Sequence, residues 1–340
     1  MKAARIHEFG GPDVLRYEDI PDPKPRRHEV LIRVKACAMN HLDLWVRKGL
    51  PGVKLPHILG SDIAGEVVEI GEYITSVRPG QRLLLAPMRF CNHCAQCTAG
   101  RQNQCREFTV LGNGVDGGDC EFIAVPEVNV IPIPDSLGFN EAASVPLVFL
   151  TAFHMLTGRA SIRPGQTVLV LGANSGVGIA GIQIAKLFNA TVIATAGNDR
   201  KAERARELGA DHVIDHYKQK ISDEVRKITQ REGVDIVMEH VGKATWDESL
   251  KCLKAGGTLV TCGATTGPSV GVDLRFLYSR QFSLLGSYMG TMGELHEVLR
   301  HVFSAKVKPV VDRTFPLSEI RAAHEFMENS EMFGKIVLNP

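Results

Sequence analysis

The stretch Thr167-Val-Leu-Val-Leu-Gly-Ala-Asn-Ser-Gly-Val-Gly178 decides how the rest of the chain is read. A β-branched and Leu-rich run ends at Gly172, small residues follow, and Ile179-Ala-Gly-Ile-Gln-Ile-Ala-Lys-Leu-Phe188 continues with helical periodicity. The pattern is strand, tight turn, helix. In such a turn glycines let backbone approach a diphosphate, whose charge sits on the helix N-terminus. Taken strictly, G-x-G-x-x-G is not met, because Ala173 and Ser175 fill the first two glycine positions. Two readings therefore stand, a dinucleotide cradle and a plain βα turn.

Downstream, the alternation continues. Thr191–Thr195 reads as a strand, Arg200–Leu208 as a charged helix stopped by Gly209, His212–Asp215 as a short strand and Ile221–Arg231 as a helix. Val234–Met238, Ser249–Lys254, Gly257–Cys262 and Phe282–Leu285 prolong the series. Repeated βα units predict a parallel sheet with helices on both faces. Upstream, residues 1 to about 135 are β-rich and turn-rich: Glu29–Lys35 and Ile63–Ile70 carry the pattern of half-buried strands, and Pro21–Pro25 and Arg78–Gln81 mark turns. Asn140–Leu156 reads as one apolar helix bridging the two regions. The helix Glu294–Ser304 and the β-like Gly334–Leu338 fall outside the βα series, so the chain is expected to return there to the first domain.

Composition bounds the function. A chain of 340 residues accommodates two domains with sizeable cores, and 44% hydrophobic content with a net charge of +1 fits a globular protein. No basic excess points to nucleic acid. No apolar run is long enough for a bilayer, and the N-terminus lacks an apolar signal core, so no membrane role and a cytoplasmic location are expected.

Eight cysteines are present, four of them as Cys91-x-x-Cys94-x-x-Cys97 with Cys105 beyond. Four thiolates on one loop close a tetrahedron around a d10 ion with no open position, which is the structural kind of zinc site. Arg89, Arg101 and Arg106 nearby help offset its negative charge. A redox Cys-x-x-Cys pair would need only two of the four. Cys120, Cys252 and Cys262 are isolated and read as buried small hydrophobes.

Taken together, these residues resemble the medium-chain dehydrogenase/reductase superfamily, the zinc alcohol dehydrogenases and quinone oxidoreductases. The resemblance spans essentially the whole chain. It rests on Asn40-His-Leu-Asp43 followed by Arg47-Lys-Gly49, on Pro56-His-Ile-Leu-Gly60-Ser-Asp62-Ile-Ala-Gly65, on the cysteine lobe, on Gly117-Gly-Asp-Cys-Glu-Phe122, on Leu208-Gly-Ala-Asp211 and on Gly286-Ser-Tyr-Met-Gly290. It implies an α/β fold: a doubly wound Rossmann domain over 149–288 and a β-rich, co-chaperonin-like (GroES-like) catalytic domain over 1–148 and 289–340. The zinc lobe covers about 88–108 of the latter, and the family's active site lies in the cleft between the domains. A homodimer or homotetramer, with Phe282–Tyr288 near the dimer axis, follows by analogy.

Departures from the family pattern point to the chemistry. Zinc-dependent members bind a catalytic zinc with Cys, His, Cys and a nearby Glu. Aligned to that pattern, the positions read Cys37, Ser61 of Gly60-Ser61-Asp62, and Leu147 of Val145–Phe149. Leucine offers no lone pair and serine is a poor zinc ligand at neutral pH. A variant site would have to use Cys37 with His41, His57 and Asp62. Asn40 and Asp43 match the zinc-free quinone oxidoreductases, in which the resemblance implies that the Asn holds the nicotinamide ribose. Without a Lewis acid, simple ketones and alcohols are hard to polarise, whereas quinones and α,β-unsaturated carbonyls carry their own electron sink. Ser61 is read either as a hydrogen-bond donor to the substrate oxygen or as a small filler, and Asp62 is a second candidate catalytic group. Trp45 is placed in the substrate cleft or the core.

For the cofactor, the second strand ends Ala194-Thr-Ala196-Gly-Asn198-Asp199-Arg200-Lys201. NAD-specific domains place a carboxylate there, but Ala196 is neutral and two cations follow. A 2′-phosphate favours that arrangement, so NADP(H) is expected over NAD. Asn198 stands in the Ser place of the relatives' Gly-Ser-x-x-Lys loop, and Asp199 is read as the cap of the following helix. The candidate cofactor residues are Asn40, Thr151, Gly172, Ser175, Gly176, Val177, Gly178, Asn198, Arg200, Lys201, His216 and Gly263. The expected activity is hydride transfer from NADPH to a quinone or enone, with one structural zinc on Cys91, Cys94, Cys97 and Cys105. Alternatives are an alcohol or aldehyde dehydrogenase with a variant zinc around Cys37, and a nucleotide-binding member without catalysis.

Overall fold

The computed structural model describes residues 1–340. The chain forms two compact units, one made of Met1–Leu147 and Thr291–Pro340, the other of Val148–Gly290.

In the first unit, β1 (Lys2–Ile6), β2 (Leu15–Asp19) and β4 (His57–Ile58) form a three-stranded sheet in the order β2-β1-β4. A larger sheet uses β3 (Glu29–Ala38), β5 (Asp62–Ile70), β6 (Arg82–Leu85), β9 (Phe122–Pro126) and β10 (Val130–Pro132), and two strands from the C-terminal segment, β17 (Val311–Pro316) and β18 (Lys335–Asn339). Its order is β10-β6-β5-β3-β18-β17, with β9 also paired to β3. The return of residues 334–338 to the first domain, expected from the break in the βα series, is seen as β18 pairing antiparallel with β3 (Val337 opposite Ala38, Leu338 opposite Cys37). Alternation along β3 turns Val30, Ile32 and Val34 into a core with Ile63, Val67, Leu83 and Leu85. A second core lies under α1 (His41–Gly49) and α11 (Ile320–Glu328), where Leu44, Val46, Ile320, Ala323 and Met327 pack together. A two-stranded ribbon, β7 (Met88–Arg89) with β8 (Thr109–Val110), brackets the cysteine loop and its short helix α2 (Ala95–Thr98).

In the second unit, β11 (Thr167–Val170), β12 (Thr191–Ala196), β13 (His212–Asp215), β14 (Val234–Glu239), β15 (Leu253–Thr261) and β16 (Ser283–Gly286) form one sheet, all pairs parallel, in the order β13-β12-β11-β14-β15-β16. That is the doubly wound order, with its reversal between β11 and β14. Helices α5 (Gly176–Leu187), α6 (Asp199–Glu207), α7 (Ile221–Ile228), α8 (Trp246–Cys252) and α9 (Leu274–Ser279) connect the strands. One face buries Leu169, Ile193, Val225, Val237, Trp246 and Leu259 together.

Two expectations need correction. Asn140–Leu156 is not one helix: α3 (Phe139–Ala143) stops, α4 (Pro146–Phe153) starts afresh, and His154–Arg159 continues as a π-helical turn. Proline has no N–H and fits only a first helical turn, so Pro146 resets the helix. Ile221–Arg231 ends early, because Gln230 and Arg231 take left-handed φ of 51° and 74° and the helix closes at Ile228. Beyond Gly290, α10 (Met292–Phe303) is capped by Thr291, whose hydroxyl accepts from the Glu294 N–H.

Candidate functional site

At the carboxyl end of β11 the chain turns left-handed at Gly172 (φ 59°), which only glycine adopts cheaply. Ser175 caps α5: its hydroxyl donates to the Gly172 carbonyl at 2.9 Å and accepts from the Gly178 N–H at 2.9 Å. A Cβ on Gly178 would lie 2.2 Å from the Gly172 carbonyl oxygen, so helix and turn meet there backbone to backbone. The serine thus satisfies one of the first-turn donors, and a helix N-terminus of this kind, with first-turn N–H groups outside the intrahelical ladder, could hold an anion. The departures at Ala173 and Ser175 leave the turn intact, because Gly172 and Gly178 stand where the left-handed backbone and the close approach require glycine.

The second strand ends at Ala196, and α6 follows directly. Its cap is Asn198, whose Oδ1 accepts from the Lys201 N–H at 2.9 Å. Asp199 is therefore the first helical residue and not the cap, and its carboxylate lies 3.4 Å from the Lys218 ammonium. Arg200 and Lys201 occupy the same first turn, where cations oppose the helix dipole and suit an anion instead. His216 and Tyr217 close over Gly197: a Cβ there would meet the two rings at 3.5 and 2.7 Å. Burial holds the half-buried His216 imidazole below its usual pKa; nearby Asp215 opposes this and Lys201 adds to it. Gly263 lies just past the carboxyl end of β15. Thr151 is buried in α4 and its hydroxyl contacts the Met289 sulfur at 3.9 Å.

In the first unit, the cysteine loop is assembled as a ligand set. The donor atoms of Cys91, Cys94, Cys97 and Cys105 all lie within 4.8 Å of one another. Sulfur separations are 3.9 Å for Cys91–Cys97, 3.8 Å for Cys94–Cys105 and 3.6 Å for Cys91–Cys105. A zinc–sulfur bond of ~2.3 Å in a tetrahedron sets sulfurs about 3.8 Å apart, so the cage fits that ion. Four thiolates fill its coordination, and the backbone N–H groups of Cys94 and Glu107 point at Cys91 and Cys105 sulfurs at 3.3 and 3.4 Å.

A second constellation sits where β3, β5, β18 and α1 converge. Lys335, 5% exposed, donates to Asp62 Oδ2 at 2.9 Å and to Asn40 Oδ1 at 2.5 Å. Asn40 Nδ2 donates to Asp62 Oδ2 at 3.0 Å, and the Leu147 N–H to Asp62 Oδ1 at 2.7 Å. Asp43 accepts from the backbone N–H of Asn40 at 2.6 Å and of Gly60 at 3.1 Å. Burial raises the Asp43 carboxyl to about 6 against the pull of those N–H bonds. Sequence reasoning missed Lys335, because nothing local distinguishes it from any other lysine near the end of the chain.

Comparison with known proteins agrees with this geometry. Residues 26–135 match the alcohol dehydrogenase GroES-like domain and residues 176–304 match the zinc-binding dehydrogenase family. The chain is 32% identical to a quinone oxidoreductase of Salmonella typhimurium over 99% of its own length and 100% of the relative's. The chain belongs to the medium-chain dehydrogenase/reductase superfamily. An acryloyl-coenzyme A reductase of Metallosphaera sedula is 33% identical, covering 94% of this chain and 95% of that protein. Among solved structures, an NAD-dependent alcohol dehydrogenase superposes with a TM-score of 0.97 at 41% identity, each chain fully covered. The protein is thus an oxidoreductase of this superfamily with a zinc-binding lobe. No helix is long and apolar enough to cross a membrane.

Two of the candidate catalytic groups, Ser61 and Asp62, have their polar atoms engaged within the protein. Ser61 is fully buried and its hydroxyl donates to the Leu111 carbonyl at 2.7 Å. Its proton is committed inward, which is the filler role and not that of a donor to substrate. Asp62 is likewise fully buried with both oxygens engaged, so it positions Asn40 and Lys335. Cys37 does not join them. It lies opposite Ile63 in the β3–β5 register while Ala38 lies opposite Asp62, so Cys37 and Asp62 project to opposite faces of the sheet. Burial pushes the Cys37 thiol well up, and His57 pairs instead with Asp116 at 3.1 Å. The variant zinc set around Cys37 is not brought together. Cys120 and Cys252 are buried as expected, whereas Cys262 is only partly so.

Beside Cys37 lies Asp119, 1% exposed, with no counter-charge and only the Cys37 thiol within reach of its carboxyl. A Cβ on Gly60 (φ 93°) would meet Asp119 Oδ1 and Cys37 Sγ at 2.5 Å each. Burial, reinforced by Asp43, raises the Asp119 carboxyl to about 8. The folded protein therefore keeps a proton that the unfolded chain releases above about pH 4, and stability falls as pH rises from there to about 8. Asp119→Asn removes that titration. Its unfolding free energy is expected to match wild type near pH 4 and to exceed it by about 5 kcal/mol at pH 8, roughly four pKa units at ~1.36 kcal/mol each. Urea melts at both pH values check this; a difference independent of pH contradicts it.

Proposed function

We propose that this protein transfers hydride from NADPH to a quinone or α,β-unsaturated carbonyl compound, and that its zinc is a structural ion. The observation that carries the reading is the chemistry at the family's metal-binding positions. Ser61 is spent on the Leu111 carbonyl, Leu147 offers no donor, and Cys37 lies on the other face of the sheet from Asp62. With no ligand set to hold a Lewis acid near Asn40, the acceptor must delocalise the incoming electron pair itself. Conjugated acceptors do so: hydride adds to the conjugated system, charge moves to oxygen, and a proton follows from water.

The chain's own residues supply binding and orientation. Gly172, Ser175, Gly176, Val177 and Gly178 receive the diphosphate; Asn198, Arg200 and Lys201 take the 2′-phosphate, with His216 beside them, and Gly263 and Thr151 complete the cofactor residues. Asn40 is assigned to the nicotinamide ribose. Its amide protons go to Asp62 and Ala38 and its Oδ1 accepts from Lys335, so the Asn40 side chain is held in one orientation. Cys91, Cys94, Cys97 and Cys105 hold the zinc, which braces the loop.

A second reading, a zinc-dependent alcohol dehydrogenase, is favoured by the likeness to the NAD-dependent structure. Zinc analysis of purified protein separates the two. One zinc per chain supports the reductase with a structural ion, and two per chain overturn it. The assembly we propose is a homodimer or a dimer of dimers. The edge strand β16 and the exposed Leu274, Phe276 and Tyr278 of α9 suit pairing with a second copy. All eight cysteines are unpaired, which fits a reducing, cytoplasmic setting.

A further inference from the structure

His240 is the first residue past β14, at the point where the strand order of the parallel sheet reverses. Dinucleotides cross such a sheet in the crevice at the reversal, with the adenosine half over the second strand and the nicotinamide half over the fourth. Here the second strand is β12 and the fourth is β14. The imidazole stands in that crevice: a Cβ on Gly172 would lie 3.2 Å from His240 Cε1, and one on Gly263 would lie 3.6 Å from His240 Cβ.

The ring's protonation pattern is set by its partner. Nε2 is 2.8 Å from the Leu171 carbonyl, and a carbonyl only accepts, so Nε2 carries the proton. In the neutral ring Nδ1 is then an acceptor, and it calls for a hydroxyl or amide donor rather than a phosphate. The backbone that carries the ring is fixed from below by Glu239. That fully buried carboxylate accepts from the N–H groups of Val241 (2.6 Å) and Gly242 (2.9 Å) and from the hydroxyls of Thr245 and Ser249 (2.8 Å each). A fourfold-satisfied carboxylate holds the 239–245 turn rigid and presents the next residue in one orientation.

We infer that His240 Nδ1 accepts a hydrogen bond from a ribose hydroxyl on the nicotinamide half of the cofactor. The inference rests on the dinucleotide reading of the cradle and deepens it. The ring both braces the end of β11 through Nε2 and orients the hydride-bearing half through Nδ1.

Two substitutions separate those roles, because an asparagine amide reproduces the Nδ1 position and a glutamine amide the Nε2 position. Dissociation constants of full-length His240→Asn and His240→Gln are measured for whichever of NADPH or NADH wild type binds more tightly. The control is the matching adenosine half, adenosine 2′,5′-bisphosphate or AMP. His240→Gln is expected to weaken the dinucleotide about tenfold, the loss of one net hydrogen bond. His240→Asn stays within about twofold, and neither variant changes affinity for the adenosine half. Equal weakening by both variants, wild-type affinity in His240→Gln, or a parallel loss for the adenosine half overturns the inference. A wild-type protein that binds neither dinucleotide sinks the cofactor reading itself.

Discussion

Lys335→Met is expected to lower the unfolding free energy by about 3–5 kcal/mol, the cost of leaving a buried carboxylate without its counter-charge. Asp62 has no exposed surface, and Lys335 is 5% exposed. With the ammonium gone, Asp62 keeps only neutral donors, the Asn40 amide and the Leu147 N–H. The same change frees Asn40 Oδ1 from its 2.5 Å partner, so the amide loses its fixed orientation and turnover falls with stability. Pairing the substitution with Asp62→Asn removes both charges together and should recover most of the stability, since replacing a whole buried pair costs far less than breaking it. Urea unfolding of the single and double variants measures the difference. A single-variant loss below about 1 kcal/mol would mean that this ion pair does not tie β18 to β3 and β5.

Arg200→Ala combined with Lys201→Ala is expected to raise the Michaelis constant for NADPH about 10²-fold or more. Each lost contact to a charged phosphate is worth roughly 1.5–3 kcal/mol. NADH has no 2′-phosphate, so its Michaelis constant should move by less than about threefold. Both side chains sit in the first turn of α6, and Asn198 caps that turn through the Lys201 N–H, a backbone bond that alanine preserves. The helix therefore survives the substitution. The neutral Ala196 at the end of β12 removes the carboxylate that would otherwise select the plain ribose. Steady-state kinetics with both nucleotides decides the matter, and equal effects on the two refute the phosphate reading.

The second unit was largely legible in the sequence because its signals are local. A strand ending in glycine, a serine cap and a helix of small residues specify one turn wherever they occur, and the structure shows that turn at 172–178. The cysteine loop was legible for the same reason. What sequence reading missed depends on long-range pairing. Lys335 meets Asn40 and Asp62 only because β18 returns to pair with β3. The alternative zinc set of Cys37 with Asp62 needs the two on one face, and the register that separates them by one residue places them on opposite faces. His240 gave no signal until β14 and β11 were adjacent. Pro146 was the one local mark passed over, and it breaks the apolar segment 140–156 into separate helices.

NADPH consumption by the purified protein, followed with 1,4-benzoquinone, an enone, an acryloyl thioester and a simple aldehyde, tests the central claim most directly. A reductase without a catalytic Lewis acid should turn over at least one conjugated acceptor faster than the aldehyde by on the order of 10²-fold. Fastest turnover with the aldehyde, or no NADPH oxidation with any of the four, contradicts it.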